Sequence, residues 1–513
     1  MKAFINKYSS KIKGMLSGFD RIVIKGTLKR LSYVEGMLSF LLTEKVLLKD
    51  FGNYVEKKTK EFKERSYSYV KQIDRPIEYL ATSGIRKNEY AKEIAKKHSI
   101  DEGLICLLTS VEPFYGYAIF KNRGKKKLEL IKRERKCLHF YYYWNDPVFG
   151  FMGSRVQTWF PYSCYFYING REWLEKMLIK KGIGYQKVEN CFLDVSDFVA
   201  AQELFMEQLQ LNWPKMLDEF AYKINPLYKE FKEHHGLEYY WTTHQSEWAT
   251  DIVFQSREEL QQIYASLVRD VIALYSAEDV MRFLGKKLHG NFKGELTTHY
   301  KERPEGVRIK HSVKGNSVKL YDKQSSILRV ETTINNPYCF KMYRPKEGAS
   351  DTVGIYPLRK SVADIYRRCH ISEGCNQRYL DAIASLESDE PFYKLISPIC
   401  VPTEYNNRRA RALRPWEKSD SDIFHIIGNG EFILNGFRNR DIREKLFPEL
   451  KEKEDVKKAS SKITRYLWLL RAHGLIRKIP KTHRYQLTDS GRKIIPAVLK
   501  TFNLSMEQLA KVA

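Results

Sequence analysis

Acidic, basic and hydroxyl side chains fall within one stretch of alternating apolar and polar residues, 307–337. The alternation breaks at Gly315 and again at 323–326, so it predicts two or three adjacent antiparallel strands. Charged side chains on such strands need partners, because an unpaired buried charge is costly. The stretch therefore predicts either a salt-bridge network at a sheet edge or a metal or phosphate site beside a tyrosine. The residues concerned are Lys319, Tyr321, Asp322, Lys323, Arg329 and Glu331.

Two further places carry residue types that bind metal ions. The segment NCFLDVSD is typical of a strand, and Asp194 and Asp197 lie towards its end, where ligands often converge. His244 and Glu247 are three residues apart, a spacing that brings two ligands onto one face of a helix. The residues before them fit a strand or a loop equally well. The eight cysteines form no C-x-x-C pair, so neither a zinc ribbon nor a disulfide scaffold is indicated.

The balance of charge points to a polyanionic partner. Lys and Arg total 88 against 62 for Asp and Glu, which gives a formal net charge of +26. A surplus of this size attracts nucleic acid, and we favour DNA over RNA. No apolar run reaches the length of a membrane span, and the N-terminal residues lack the apolar centre of a signal peptide. We therefore expect a cytoplasmic protein with reduced thiols and no membrane partner.

A dense basic run, 121–136, precedes the most aromatic part of the chain, 141–167. Basic runs of this kind are usually flexible or face phosphates. Aromatic residues interleaved with cations suit single-stranded nucleic acid, because bases stack on the rings while cations follow the backbone. Aromatic residues also suit the strands of a large core. We expect most of them to be core residues and some of them to contact nucleic acid.

The order of elements predicts an α+β fold. It would have a mixed or antiparallel central sheet with flanking helices, and a C-terminal winged helix-turn-helix. The domain boundaries that follow are 1–120 for an N-terminal strand and helical region, and 121–345 for a central α/β domain that processes nucleic acid. Residues 346–420 would form a helix and a basic linker, and 421–513 the winged helix.

The C-terminal segment has the clearest pattern. Short helices are predicted at 424–434 and 440–446, and a longer one at 456–472. Two strands around a basic turn and a last helix follow, which is the order of a winged helix-turn-helix. Basic residues on the third helix and on the wing favour contact with nucleic acid. The predicted contact residues over the whole chain are Lys125, Lys126, Lys127, Arg133, Arg135, Arg155, Arg408, Arg409, Arg411, Lys457, Lys458, Lys462, Arg465, Arg477, Lys481 and Arg484.

Four short segments occur in an informative order, YFYINGREWLEKML, NCFLDVSD, SVKLYDK and LRVETTI. This order resembles the plasmid and filamentous-phage rolling-circle replication initiators over roughly residues 160–340. In that family a glycine-turn motif precedes an Arg-x-Asp-x-x-x-Asp strand, and a Tyr-Asp-Lys strand precedes an Arg-x-Glu strand. The full chain also resembles a widespread group of uncharacterised bacterial proteins associated with mobile elements.

The resemblance implies a divalent metal, Mg²⁺ or Mn²⁺, held by acidic residues, and a tyrosine that attacks a DNA phosphodiester to leave a covalent 5′-phosphotyrosine. It assigns the metal to Asp194, Asp197 and Glu331. The Tyr-Asp-Lys motif corresponds to Tyr321, Asp322 and Lys323, and the nucleophile is Tyr321 or Tyr300. Carboxylate oxygens suit these hard cations, which polarise a phosphate.

The chain also departs from that family. Phe192 and Leu193 occupy the region in which the family has its arginine, and a His-hydrophobe-His metal motif is absent. The same acids would equally fit a ribonuclease-H-like metal nuclease with Asp20 on the first strand. The sequence also fits a non-catalytic protein that binds nucleic acid, including structured RNA, or a transcription regulator. We favour a bacterial mobile-element protein that nicks and joins DNA strands, as a replication initiator or a transposase-like enzyme.

Overall fold

The structure is a computed structural model of the chain. It describes residues 1–82, 84–274, 280–281, 283–285, 296–346, 349–384, 392–428, 432, 436–450, 452–480 and 482–502. Lys481, one of the predicted contact residues, lies outside the described residues. Within these ranges, none of the helices combines the length and the apolar character that crossing a bilayer requires.

Long strands occupy the N-terminal and middle parts of the chain, and short strands recur towards its C-terminus. The strands are β1 (Ile12–Leu28), β2 (Ile77–Tyr79), β3 (Gly103–Asn122), β4 (Lys127–Asp146), β5 (Gly150–Gln157), β6 (Cys164–Asn169), β7 (Tyr185–Val188), β8 (Cys191–Val195), β9 (Tyr239–Phe254), β10 (Leu296–Lys301), β11 (Arg308–Val313), β12 (Asn316–Lys323), β13 (Ile327–Ile334), β14 (Lys341–Lys346), β15 (Ala349–Pro357), β16 (Thr403–Tyr405), β17 (Arg408–Ala410), β18 (Ile476–Lys478) and β19 (Tyr485–Leu487).

Helices are interspersed with these strands along the whole chain. They are α1 (Lys2–Lys7), α2 (Val34–Thr43), α3 (Phe51–Gln72), α4 (Lys87–Lys97), α5 (Gly170–Lys181), α6 (Phe198–Glu207), α7 (Trp213–Ile224), α8 (Tyr228–His235), α9 (Arg257–Leu274), α10 (Ile365–Ala384), α11 (Phe392–Ile396), α12 (Lys418–Ile427), α13 (Asn439–Leu446), α14 (Lys453–Ala472) and α15 (Asp489–Phe502). The chain is therefore of mixed α+β character, as the sequence predicts.

The chain divides into two compact units, and both are discontinuous in sequence. The central unit comprises Gly14–Asp251 and Glu331–Glu373. The terminal unit comprises Met1–Lys13, Ile252–Val330 and Gly374–Ala513. The sequence patterns, in contrast, predict four contiguous domains, because local patterns do not reveal which distant segments pack together.

The central unit is built on a large sheet with the strand order β13-β9-β1-β6-β5-β4-β3-β2. The ladders of β1 with β6, β6 with β5, β5 with β4 and β4 with β3 are antiparallel, whereas β2 runs parallel to β3. The sheet is therefore mixed. The predicted strand near the N-terminus corresponds to β1.

The alternation of β1 decides which side of the sheet faces the helices. Ile22 and Ile24 are buried, and they lie opposite Ile168 and Phe166 of β6 in the main core. Apolar residues of α2, α3 and α5 to α8 pack into the same core. Lys25 points to the other side, because successive side chains of a strand alternate between its faces.

Helix α5 begins where the sequence predicts, immediately after β6. The Asn169 side chain caps it by accepting a hydrogen bond from the Arg171 amide at 2.8 Å. A side chain at Gly170 would bring its Cβ to 2.2 Å from the Phe19 carbonyl oxygen, so only glycine fits there. The helix ends at Gly182, whose φ of +68° is the left-handed conformation that glycine favours. The turn thereby fixes Arg171 against β1.

The aromatic stretch is mostly core, as expected. Tyr142, Trp144, Phe160 and Phe166 are buried in the main core of the central unit. Tyr141 and Tyr143 are buried beneath α4 on the other face of the sheet. Tyr165 and Tyr167 of β6 remain half-buried and therefore reach solvent. Only a few rings of this stretch are thus accessible to a ligand.

The terminal unit contains the strands predicted from the alternation at 307–337. Their order is β10-β11-β12-β13, and the β10–β11 and β11–β12 ladders are antiparallel. Strand β13 passes from the terminal unit to the central unit after Val330. Residues 397–421, predicted to be a linker or arm, contain the short β16–β17 hairpin, and Leu413 is buried among the C-terminal helices.

The C-terminal residues follow the predicted order of three helices, two strands and a last helix. Helix α12 begins before the predicted start at 424, and α13 and α14 match the second and third predictions closely. The β18–β19 ladder is antiparallel, and Phe437 forms an additional bridge with Tyr485 of β19. Apolar residues of α12 to α15 share one core with both strands.

Candidate metal centre

Three carboxylates from three neighbouring strands meet in the central unit. Asp20 lies on β1, Glu247 on β9 and Glu331 on β13, and β9 is the strand between the other two. One carboxylate oxygen from each lies within 4.8 Å of the others. Within the part of the chain that the structure describes, no other group of three or more potential metal ligands has this spacing. Glu247 and Glu331 are buried, and Asp20 reaches solvent with 13% of its side chain.

Polar neighbours hold the first two carboxylates in place. The Arg21 guanidinium donates to Glu247 Oε1 at 2.9 Å, and the Gln245 amide donates to the same oxygen at 2.7 Å. Asn190 donates to Asp20 Oδ1 at 2.6 Å. These hydrogen bonds stabilise the charged form of carboxylates that would otherwise repel one another. They also fix the orientation of each carboxylate.

A fully buried arginine connects the acidic group to a fourth acid. The Arg171 guanidinium lies 3.1 Å from Asp251 Oδ2 and 3.9 Å from Asp20 Oδ1, and it donates to the Ala249 carbonyl at 3.0 Å. Its Cζ lies 4.8 Å from the centroid of the Phe205 ring. An arginine enclosed in this way is held in one conformation beside Asp20.

The donor set fits a hard divalent cation. Oxygens on opposite sides of Mg²⁺ lie about 4.2 Å apart at its usual bond length. Adjacent oxygens lie only about 3 Å apart, so the three carboxylates, now within 4.8 Å of one another, would move closer together on binding. Asp20, Glu247 and Glu331 are the residues that would hold Mg²⁺ or Mn²⁺.

The structure brings Glu331 into this group, whereas Asp194 and Asp197 occupy other positions. Asp197 caps α6 by accepting hydrogen bonds from the amides of Val199 and Ala200, both at 2.9 Å. Asp194 lies opposite Gln186 in the β7–β8 hairpin. Neither aspartate belongs to the acidic group found among the described residues. In the structure Asp20, rather than Asp194 or Asp197, lies beside Glu331 in this group.

The residues of the predicted Tyr-Asp-Lys motif lie on β12 in the terminal unit. Tyr321 is buried, with the Arg303 guanidinium 5.4 Å from its ring centroid. Lys323 is half-buried at the end of the strand. Tyr300 is 46% exposed on β10, and partial burial raises the pKa of its phenol. Exposure makes Tyr300 the more accessible of the two candidate nucleophiles.

Asp322 is a buried carboxyl with an unusual environment. Its amide donates to the Tyr264 hydroxyl at 3.0 Å, and that hydroxyl donates to the Val307 carbonyl. Its Oδ1 has no hydrogen-bond partner among the described residues. Burial, followed by the nearby Glu305, raises the pKa of Asp322 to about 7 from the usual 3.8. The charged carboxylate is therefore unfavourable at this position.

Asp322→Asn is expected to stabilise the protein, and to do so more at pH 8 than at pH 5. Between pH 3.8 and 7 the folded state retains a proton that the unfolded state releases, so stability falls as the pH rises through this range. The amide cannot ionise and escapes this loss, which we expect to amount to about 1–3 kcal/mol at pH 8. Urea unfolding at both pH values measures the difference. A constant difference would contradict the raised pKa.

The predicted contact residues are spread over several surfaces. Lys125, Lys126, Lys127 and Arg133 are exposed on the β3–β4 hairpin, as are Arg408 and Arg409 on β17. Lys457, Lys458, Lys462 and Arg465 are exposed on α14, and Arg477 is exposed on β18. Three arginines have internal partners instead. Arg135 donates to the Tyr117 carbonyl, Arg411 pairs with Asp420, and Arg155 pairs with Glu112 at 3.2 Å. Arg484, next to β19, is half-buried.

A basic patch lies on the polar side of the sheet in the central unit. The Tyr165 ring lies 4.9 Å from the Arg155 guanidinium carbon, 5.6 Å from Lys25 Nζ and 5.6 Å from the centre of the His244 ring. Burial and then the nearby cations Lys25, Lys360 and Arg155 lower the pKa of His244. Cations gathered around a half-exposed ring suit a phosphate with a stacked base. We call Lys25, Arg155, Tyr165 and His244 the sheet patch.

Sequence reasoning identified only part of this site. The sequence predicts Glu331 as a metal ligand and includes Asp20 only in the ribonuclease-H-like interpretation. It pairs Glu247 with His244 at a spacing that suits a helix, while a strand or a loop stays open. In the structure both residues lie on β9. Arg171 was missed. Its position directly after the Asn169-Gly170 turn is the sequence feature that could have pointed to it.

Comparisons with known proteins add nothing to these observations. The chain matches no family model, no curated protein and no solved structure.

Proposed function

We propose that the protein binds nucleic acid and cuts or joins a DNA strand at the metal centre, as a replication initiator or transposase-like enzyme of a mobile element. The observation that carries this proposal is the meeting of Asp20, Glu247 and Glu331 on adjacent strands. The net charge of +26 supports a polyanionic substrate. The Tyr-Asp-Lys and Arg-x-Glu motifs support strand transfer through a tyrosine.

The chain's own residues would prepare the phosphodiester for attack. A bound Mg²⁺ or Mn²⁺ would polarise the scissile phosphate and stabilise the leaving oxygen. Asp20, Glu247 and Glu331 would hold the cation, and Arg171 would keep Asp20 in position. Lys25 of the sheet patch would bind a neighbouring phosphate. The Tyr-Asp-Lys motif makes Tyr321 one candidate nucleophile, and Tyr300 is the other.

We propose further that residues 418–502 form a winged helix that selects the DNA site. The order of α12, α13, α14, β18, β19 and α15 is that of a winged helix-turn-helix, and α14 would be the helix that enters the major groove. Lys457, Lys458, Lys462 and Arg465 are the exposed basic residues of this helix. Such contacts fix the protein on the duplex through its phosphates.

A ribonuclease-H-like metal nuclease is the second candidate. The observation that favours it is the membership of Asp20, on the first strand, in the acidic group. In that case water, rather than a tyrosine, would attack the phosphate and no covalent intermediate would form. The two candidates share the metal centre and differ in the nucleophile.

A cleavage assay distinguishes these candidates. Labelled single-stranded and duplex DNA would be incubated with the protein and Mg²⁺ or Mn²⁺ and analysed on a denaturing protein gel. A metal-dependent band that resists detergent is the expected result, and peptide mapping would identify Tyr300, Tyr321 or another tyrosine. Cleavage without such a band would favour the nuclease. Tight binding without cleavage would overturn both enzymes in favour of a binding protein.

A further inference from the structure

The β3–β4 hairpin extends well beyond the strands that flank it. Its ladder runs from Gly103 opposite Asn145 to Asn122 opposite Lys127. Strand β5 pairs only with the last residues of β4, from His139 onwards, and β2 pairs only with 107–109 of β3. In the described part of the chain, the other residues of β3 and β4 pair only with each other and form a two-stranded ribbon. At the usual rise per residue, 110–122 of β3 span about 40 Å. We call 110–138 the ribbon.

The ribbon is supported on one side rather than freely mobile. The buried Tyr117 donates from its hydroxyl to the Leu31 carbonyl at 2.7 Å, and Lys132 donates to the Ser32 carbonyl at 2.5 Å. Leu130 is buried in the main core. These contacts hold the ribbon against the segment before α2. Its tip is therefore presented in a defined position, which reduces the entropy lost on binding.

The tip and edges of the ribbon are strongly basic. Its exposed cations are Lys121, Arg123, Lys125, Lys126, Lys127, Lys132, Arg133 and Lys136. Glu129 lies 3.7 Å from Lys125 Nζ and from Lys127 Nζ. Exposed pairs of this kind contribute at most about 1 kcal/mol, so they would yield readily to phosphates. Glu129 and the exposed Glu134 offset only a minority of the positive charge.

The shape of the ribbon indicates which form of nucleic acid it would contact. A single strand binds best in a groove lined with aromatic faces, and the tip residues 122–127 contain no aromatic side chain. A ribbon is a projecting element, and the major groove of duplex DNA admits two paired strands. Phosphates border that groove on both sides, where lysines from either strand of the ribbon can reach them.

We propose that the ribbon docks in the major groove of duplex DNA, with Lys125, Lys126 and Lys127 on the phosphates. Tyr115 is 67% exposed and Phe120 is 48% exposed, and both would pack on the sugar edges of the groove. This inference deepens the proposed function by giving the enzyme a duplex contact outside its metal centre and its winged helix. It requires nucleic acid as the substrate but does not require cleavage.

Binding measurements in EDTA test the proposal without any contribution from catalysis. The variant Lys125→Gln/Lys126→Gln/Lys127→Gln is compared with wild type by fluorescence anisotropy on a duplex of about 30 base pairs, long enough for several turns of the groove, and on one of its strands. We expect duplex affinity to fall about 10- to 100-fold, because up to three phosphate contacts disappear. The slope of log K against log salt should become shallower by about 2–3 for the duplex. Single-strand affinity should change less than about twofold, because the tip lacks the aromatic faces that a single strand needs.

A matched variant controls for the loss of positive charge. Lys96, Lys97 and Lys181 are exposed at the ends of α4 and α5, outside the ribbon. Their combined replacement by glutamine removes the same charge, and duplex affinity should then fall far less than in the ribbon variant. Equal losses in the two variants, or equal losses on duplex and single strand, would overturn the proposal.

A crosslink provides a second readout that does not depend on affinity. A side chain at Gly124 would meet only Asn122 Oδ1, at 3.6 Å, so a photoreactive benzoylphenylalanine fits there without disturbing the turn. Irradiation in EDTA should attach duplex DNA to this position and not to the same residue placed at Lys96. Absence of the crosslink would refute ribbon docking even if the protein cleaves DNA. A crosslink without cleavage would leave ribbon docking standing and refute the enzyme.

Discussion

Glu331→Gln is expected to abolish metal-dependent cleavage while leaving DNA binding intact. Glutamine keeps the volume of the side chain but removes one of three carboxylates that meet within 4.8 Å. Loss of an outer-shell partner typically lowers metal affinity about 10- to 100-fold, so loss of a direct ligand should lower it at least about 100-fold. Mn²⁺ binding followed by electron paramagnetic resonance measures this directly. DNA affinity in EDTA should stay within about twofold of wild type, because Glu331 contributes no cation to phosphates.

Asp197→Asn is the matched control for that experiment. Asparagine caps helices about as well as aspartate, so α6 should keep its two capping hydrogen bonds. Metal affinity and cleavage should equal those of wild type. Asp20→Asn, in contrast, should behave like the Glu331 variant. If Asp197→Asn lost the metal and Glu331→Gln kept it, the metal would belong to the pair Asp194 and Asp197.

Arg171→Met is expected to lower the free energy of unfolding by about 3–5 kcal/mol. Methionine fills much of the same space but leaves the buried Asp251 without the guanidinium that lies 3.1 Å from it. An uncompensated buried carboxylate is strongly destabilising, whereas an exposed one is not. Urea unfolding monitored by tryptophan fluorescence measures the change. The same variant should weaken Mn²⁺ binding, since Asp20 loses a neighbour that positions it.

Two further variants give this experiment its controls. Arg86→Met removes an exposed arginine whose pair with Glu89 is expected to contribute only about 0–1 kcal/mol. Asp251→Asn added to Arg171→Met removes the buried negative charge that lost its arginine partner and should recover part of the lost stability. A loss in Arg171→Met no larger than in Arg86→Met would show that the buried contact contributes little.

Local features of the fold could be predicted from the sequence. The turn residues and alternation at 307–337 indicated β11, β12 and β13, and the Asn169-Gly170 pair indicated the start of α5. Both are determined by neighbouring residues, because the period of a strand and the capping of a helix are short-range properties. The burial of most residues in the aromatic stretch could be predicted for the same reason.

The acidic group could not be assembled from the sequence. Asp20 and Glu331 are far apart along the chain, and they meet because β9 lies between β1 and β13 in the sheet. Strand order depends on tertiary packing and leaves no mark in local periodicity. The spacing of His244 and Glu247 left a helix, a strand and a loop open, and in the structure both residues lie on β9, a strand inside the sheet. An acid on each of several separated strands was the only available signal.

The discontinuity of the central unit has a consequence for the protein during its synthesis. Asp20 and Glu247 leave the ribosome long before Glu331, which lies in the second segment of that unit. At synthesis speeds of about 5–20 residues per second, roughly 15–60 seconds separate the emergence of the first acid from that of the last. Under the proposed function, a nascent chain would therefore expose its basic ribbon to DNA while its metal centre is still incomplete. Premature release before Glu331 would then yield a fragment that binds DNA but cannot cut it.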